Sequence, residues 1–190
     1  MRNNVRRNEV NMRTTIHKVI WAWNFDKEEN WLNEMAAKGL CLVSVGLFRY
    51  DFEECNPGEY QIRLQLLENL PSHPEGRKYM EFLESTNIEH IGSIFRWAYF
   101  RKKTSDGDFE LFSDNESRVK YLTRVIRFIA LIAFLSLYIG AYNIFLAIVY
   151  NNVINYIGFA NIAIAVFAAF GIIRLRKKRG KLKREGQVFE

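Results

Sequence analysis

The side chains best equipped for chemistry are few and scattered. His17, His73 and His90 lie far apart, and the 190 residues hold no His-x-x-x-His pair, no Cys-x-x-Cys pair and no glycine-rich phosphate loop. The two cysteines, Cys41 and Cys55, stand 14 positions apart with no second pair. A metal site needs three or four converging ligands, so both read as small buried side chains rather than as metal ligands. No catalytic residue, metal ligand or cofactor is assigned, and the chain is not expected to be an enzyme. The notable material is aromatic. Trp21, Trp23, Tyr60 and Trp97 fall in or near segments with strand character, where Arg49, Arg63 and Arg96 are interspersed. On an open sheet face such a set could stack RNA bases, hold an apolar ligand or dock a protein. RNA fits poorly, because residues 1–119 carry 16 Lys and Arg against 19 Asp and Glu, a net of −3. Direct nucleic-acid binding is therefore not expected. Self-association or a protein partner is the first expectation for this face, and a lipophilic ligand the second.

The elements that would position such a face share the chain with something different. Between Phe128 and Ile173 there is no charged side chain. A soluble helix keeps a polar face for water, so this block reads as membrane. About 20 residues at 1.5 Å each cross a hydrocarbon layer of roughly 30 Å, and residues 128–149 and 153–173 supply two such lengths around a turn at Tyr150, Asn151 and Asn152. Lys120, Arg124 and Arg127 precede the first span, and eight Lys and Arg follow the second between Arg174 and Arg184. With no charge in the connecting turn, the flanks predict a two-pass protein of the cell membrane with both termini in the cytoplasm. A reducing compartment then predicts free thiols at Cys41 and Cys55. The basic tail, 174–190, is a topology signal resting on membrane lipid. Small residues recur along each span, and Gly140, Asn143, Gly158 and Asn161 mark the expected contact between them. Asn143 and Asn161 lie at similar depth, which suits an amide hydrogen bond across the hairpin or a contact between copies in a homo-oligomer.

Ahead of the membrane block, residues 1–12 are polar and aperiodic and read as a disordered arm, with Met1 and Met12 as alternative starts. Residues 13–112 read as a cytoplasmic α+β domain. Thr14–Trp23 has strand character, and 26–38 places Trp31, Leu32, Met35 and Ala36 on one helical face before Gly39. Leu40–Phe52 alternates as one strand, and Asn56-Pro57-Gly58 turns into a second beginning at Tyr60. A helix over 75–85 and a final strand over 88–102 complete the order βαββαβ. That order predicts a ferredoxin-like sandwich, one four-stranded antiparallel sheet with two helices on one face. Ser113 and Glu116 fit a capping box opening a juxtamembrane helix, 113–127, that runs into the first span.

Three segments carry a family resemblance: Trp21–Gly39, Tyr50–Tyr60 and Arg96–Lys103, read in order as WAWNFDKEENWLNEMAAKG, YDFEECNPGEY and RWAYFRKK. Together they resemble the bacterial family of domain of unknown function 2812, over roughly residues 12–120. The resemblance implies C-terminal membrane spans and a gene neighbour of the PadR type of transcriptional regulator, and it supplies no activity and no catalytic residues. The expectation is a membrane-anchored cytoplasmic sensor or accessory interaction module, with a PadR-type regulator as its candidate partner. The competing expectation is a non-catalytic subunit of a membrane transport or envelope-stress complex.

Overall fold

The computed structural model describes residues 13–112, 114–150 and 156–187. The expected arm at 1–12, the Ser113 half of the capping box and the turn at Asn151 and Asn152 lie outside the described residues. The chain divides into two units. One comprises the residues up to Ile20 with Asn24–Glu110, and the other comprises Trp21–Trp23 with Leu111 onward.

The first unit is α+β, in the order β1 (Thr14–His17), α1 (Phe25–Ala37), β2 (Leu40–Gly46), β3 (Arg49–Glu54), β4 (Tyr60–Leu66), α2 (Pro74–Glu84), β5 (Ile88–Ile94) and β6 (Trp97–Lys103). It is not ferredoxin-like. Instead of one four-stranded sheet there are two antiparallel three-stranded sheets, ordered β1-β3-β2 and β4-β6-β5. The departure has one physical cause, met twice. The segments 40–52 and 88–102, each expected as a single strand, both fold back on themselves at two-residue turns, Leu47-Phe48 and Phe95-Arg96. Neither turn contains the Gly, Asn or Asp that usually supplies positive φ in a tight hairpin. Phe48 and Phe95 adopt it themselves, at φ 58° and 54°.

The result is a βαββ unit used twice. Leu40 pairs with Glu54 and Gly46 with Arg49, while Ile88 pairs with Lys102 and Ile94 with Trp97, the same register 48 residues later. Both hairpins carry their irregularity at the same place, between Leu42 and Ser44 and between His90 and Gly92. The outer strands repeat too, since His17 pairs with Arg49 and Leu66 with Trp97. The two sheets meet at β2 and β5. A side chain at Gly92 would come within 3.1 Å of Val45 Cγ2, and Arg101 Nη1 donates to Leu42 O at 3.2 Å. Arg101 is itself paired with Glu89, so β2 and β5 advance in the same direction and their turns emerge from the same end.

Helix α1 ends at Gly39, whose φ of 83° suits the residue past a helix terminus and whose missing side chain leaves room for Cys55 O. Along its length α1 closes the outer edge of β4. Asn33 Oδ1 accepts from Ile62 N–H at 2.8 Å, Asn33 Nδ2 donates to Ile62 O at 2.9 Å, and Glu29 Oε2 accepts from Leu64 N–H at 3.0 Å. An edge strand is thus given partners by side chains instead of by another strand. The core joins Leu32 and Ala36 of α1 to Leu42, Tyr50 and Phe52 of the first sheet and Ile62, Leu64 and Tyr99 of the second. Cys41 and Cys55, expected as free thiols, are joined in a disulfide, because the pairing of β2 with β3 brings their Cα atoms to 5.8 Å.

The second unit is built on two long helices, α3 (Asn115–Tyr150) and α4 (Gly158–Gln187). Asp114 caps α3, accepting from Ser117 N–H at 2.6 Å. Both helices are long and apolar enough to cross a membrane. They pack on their small residues: a side chain at Gly140 would meet Gly158 O at 2.9 Å, and one at Gly158 would meet Gly140 O at 2.6 Å. Trp21 and Trp23, expected to extend the first strand, belong to this unit. They stack 5.6 Å apart, and each meets Phe167 edge-on, at 4.8 and 4.9 Å. A side chain at Gly171 would collide with the Trp23 ring.

Candidate functional site

The most unusual chemistry in the α+β unit is a buried acid. Glu28 lies in α1 on the same stripe as Leu32 and Ala36, positions four and eight further along, and is 94% removed from solvent. Its Oε1 accepts the hydroxyl of Tyr50 at 2.7 Å and that of Tyr99 at 2.6 Å. Tyr50 stands on β3, the middle strand of the first sheet, and Tyr99 on β6, the middle strand of the second. One carboxylate oxygen therefore ties the helix to the centre of both repeats.

Burial raises the Glu28 pKa, and the hydroxyls of Tyr99 and Tyr50 pull it back. Both phenols are pushed well above the ordinary tyrosine value, by burial first and by the Glu28 charge second. The surroundings are aromatic: Trp31 meets Tyr50 edge-on at 5.0 Å, Lys18 Nζ lies 4.0 Å over the Trp31 ring, and Phe25 lies 5.6 Å from Trp97. Such a group holds a proton or a negative charge in a place where water cannot compensate it.

The aromatic and basic residues singled out by sequence do not form one face, because the single open sheet that would have carried them is absent. Trp21 and Trp23 lie in the helical unit. Arg49 pairs with the buried Asp51 at 3.0 Å, and the Thr15 hydroxyl, with Arg49 next, holds that carboxyl below the usual range. Tyr60 lies beneath the Arg101 guanidinium at 4.6 Å. Arg63 reaches Glu29 at 3.5 Å and donates to Phe109 O at 2.9 Å. Arg96 donates through Nε to Leu67 O at 2.9 Å, and Trp97 is half-buried against the core. Among the helix positions, Gly140 and Gly158 are brought together, each beside the other helix's asparagine. Asn143 Nδ2 donates to Ile139 O in its own helix at 2.9 Å.

A second feature is an open, polar pocket of about 510 Å³ lined by Cys41, Val43, Glu53, Glu54, Cys55, Asn56, Glu59, Tyr60 and Arg101. The disulfide forms part of its wall. Among the described residues no group of His, Cys, Asp and Glu is arranged to hold a metal ion.

A family model described as a protein of unknown function, DUF2812, matches residues 24–134, from the start of α1 into α3. No curated protein and no solved structure matches the chain.

Proposed function

The chain belongs to that family, DUF2812, and we propose that it is a membrane-anchored sensor or accessory interaction module. One observation carries the membrane half of this reading. Over residues 131–150 and 158–171 every buried position carries a small residue, Gly140, Ala147, Gly158, Ala165, Ala168 and Gly171, while Phe134, Phe145, Ile148, Val166 and Phe170 are exposed. In water that arrangement wastes its apolar surface; in lipid, small residues let helices approach while large ones meet acyl chains. The flanking Lys and Arg support a cell-membrane hairpin with both ends in the cytoplasm.

The module half is supported by the buried acid. Glu28, Tyr50 and Tyr99 join the two repeats through a single oxygen, and a junction of that kind responds to anything that changes the carboxyl's charge or the spacing of the sheets. The partner we propose is a soluble transcriptional regulator of the PadR type, and the test is a tagged pull-down from gently solubilised native membranes with a crosslinker. Recovery of a soluble DNA-binding protein supports the proposal. Reproducible recovery of a polytopic protein instead overturns it in favour of a subunit of a transport or envelope-stress complex.

A further inference from the structure

The two repeats end in two exposed apolar tips that no core contact explains. Leu47, Phe48 and Phe95 are 68, 42 and 77% exposed, although apolar burial drives the folding of everything around them. Phe48 and Phe95 also adopt positive φ, which a glycine or asparagine would do at less cost. Because β2 and β5 run side by side in the same direction, with Val45 against Gly92, the turns that follow them lie at one end of the α+β unit.

A basic residue follows each tip. Arg49 and Arg96 are each the residue after the exposed Phe, and the Arg49 side chain is 53% exposed, while the main chain of Lys18 is held at the first tip by its N–H, which donates to Phe48 O. Asp51, the acid that Arg49 contacts, is buried and engaged by the Thr15 hydroxyl as well. Large apolar side chains with cations next to them in the chain match the lipid–water boundary of a bilayer, where the side chains enter the acyl region and the cations meet phosphate.

Chain connectivity supplies the remaining step. Trp21 follows Lys18 by three residues and packs edge-on against Phe167 of α4. Three residues reach at most about 11 Å. The Phe48 tip is therefore leashed to an apolar helix whatever the arrangement of the two units. We propose that Leu47, Phe48 and Phe95 form a membrane-inserting wedge, and that its occupant is the interface of the same bilayer the two helices cross. The proposal rests on the membrane reading above.

The test places a nitroxide at Phe95→Cys, and independently at Leu47→Cys in case one variant misfolds, in the full chain reconstituted into vesicles containing anionic lipid. Labelling is done without reductant, with the wild-type chain as the blank. The reading is collision with oxygen, which partitions into lipid, relative to a water-soluble nickel complex. Leu135→Cys on the exposed face of α3 and Lys78→Cys on α2 serve as the lipid and water references. The expected result is an oxygen-to-nickel ratio at the tips shifted from the Lys78→Cys value toward the Leu135→Cys value, with the shift reduced when anionic lipid is omitted. Tips that read as water while Leu135→Cys reads as lipid overturn the wedge alone. A Leu135→Cys label that reads as water overturns the membrane reading and the wedge with it. Spin–spin broadening at the tips, diluted away by unlabelled chain, assigns them to a second copy and also overturns the proposal.

Discussion

Replacing Tyr99 by Phe removes one hydroxyl and leaves the ring in place, so it isolates the bond to Glu28. That bond is charge-assisted wherever Glu28 is ionised, and losing such a partner costs about 1.5–3 kcal/mol against about 0.5–1.5 kcal/mol for a neutral one. The difference makes the effect depend on pH. Burial raises the Glu28 pKa above its unfolded value, so the folded chain holds this proton where the unfolded chain has released it. Its contribution to stability is fully present below the unfolded pKa and is lost as the pH rises through the folded one. Removing the Tyr99 donor raises the folded value further, since that hydroxyl now lowers it. Tyr99→Phe should therefore cost about 1.5–3 kcal/mol at a pH high enough to ionise Glu28 and visibly less at a pH low enough to protonate it. Denaturant unfolding in detergent at the two pH values, followed by near-UV circular dichroism, reads this directly. Carboxylates elsewhere titrate alike in both proteins and drop out of the difference. A loss of equal size at both pH values, or one below about 0.5 kcal/mol at the higher, refutes the picture of an acid held by two phenols.

Three further outcomes follow from the same structure. Asn33→Ala leaves Ile62 N–H and O on the edge of β4 without their side-chain partners; it should cost about 1–3 kcal/mol and speed hydrogen exchange at Ile62 while sparing the amides of β5. Gly140→Leu places atoms where Gly158 O and Ile162 now lie, so it should separate α3 from α4, seen as loss of a crosslink between cysteines placed at Asn143 and Asn161, whose Cβ atoms lie beside the facing glycines. Finally, a cytoplasmic α+β unit should have its Cys41–Cys55 pair reduced in living cells and oxidised after lysis in air. Two thiols alkylated by a permeant reagent before lysis support the proposed orientation, and none alkylated refutes it. Closing this 15-residue loop should add about 3 kcal/mol in the chain-entropy account, so reduction should lower the unfolding midpoint.

The two long apolar helices are legible in the sequence because their signal is categorical: no charge over residues 128–173, with charge on both flanks. Helix α1 was legible from its apolar stripe and from Gly39. The strand ends are hidden where the chain turns without turn residues. Leu47-Phe48-Arg49-Tyr50 and Ile94-Phe95-Arg96-Trp97 look like continuous strand, since every residue suits a pleated, half-buried surface. Yet the two tetrapeptides are each other's likeness, aliphatic-Phe-Arg-aromatic, 47 residues apart, and each carries its positive φ on the Phe. In the second copy the turn has slid by one residue along this motif, which is why the strand register repeats at 48 and the motif at 47. That likeness is the trace the repeat leaves in the sequence.

The acid is hidden for the opposite reason: it sits inside a pattern that the sequence does show. Leu32 and Ala36 mark the buried stripe of α1, and Glu28 continues that stripe one turn earlier. A carboxylate on an apolar stripe must find donors inside the protein or stay protonated, because burying a lone charge costs far more than one helix contact returns. The donors come one from each sheet, Tyr50 and Tyr99, from positions on β3 and β6 that two independent sheets would have no need to coordinate. An apolar residue at position 28 would bury equally well and would leave each phenol to find another acceptor. What Glu28 adds is a common acceptor, so that a shift of either sheet strains the hydrogen bond to the other. It couples the two repeats to each other, and it does so from α1, the helix whose side chains also hold the edge of β4.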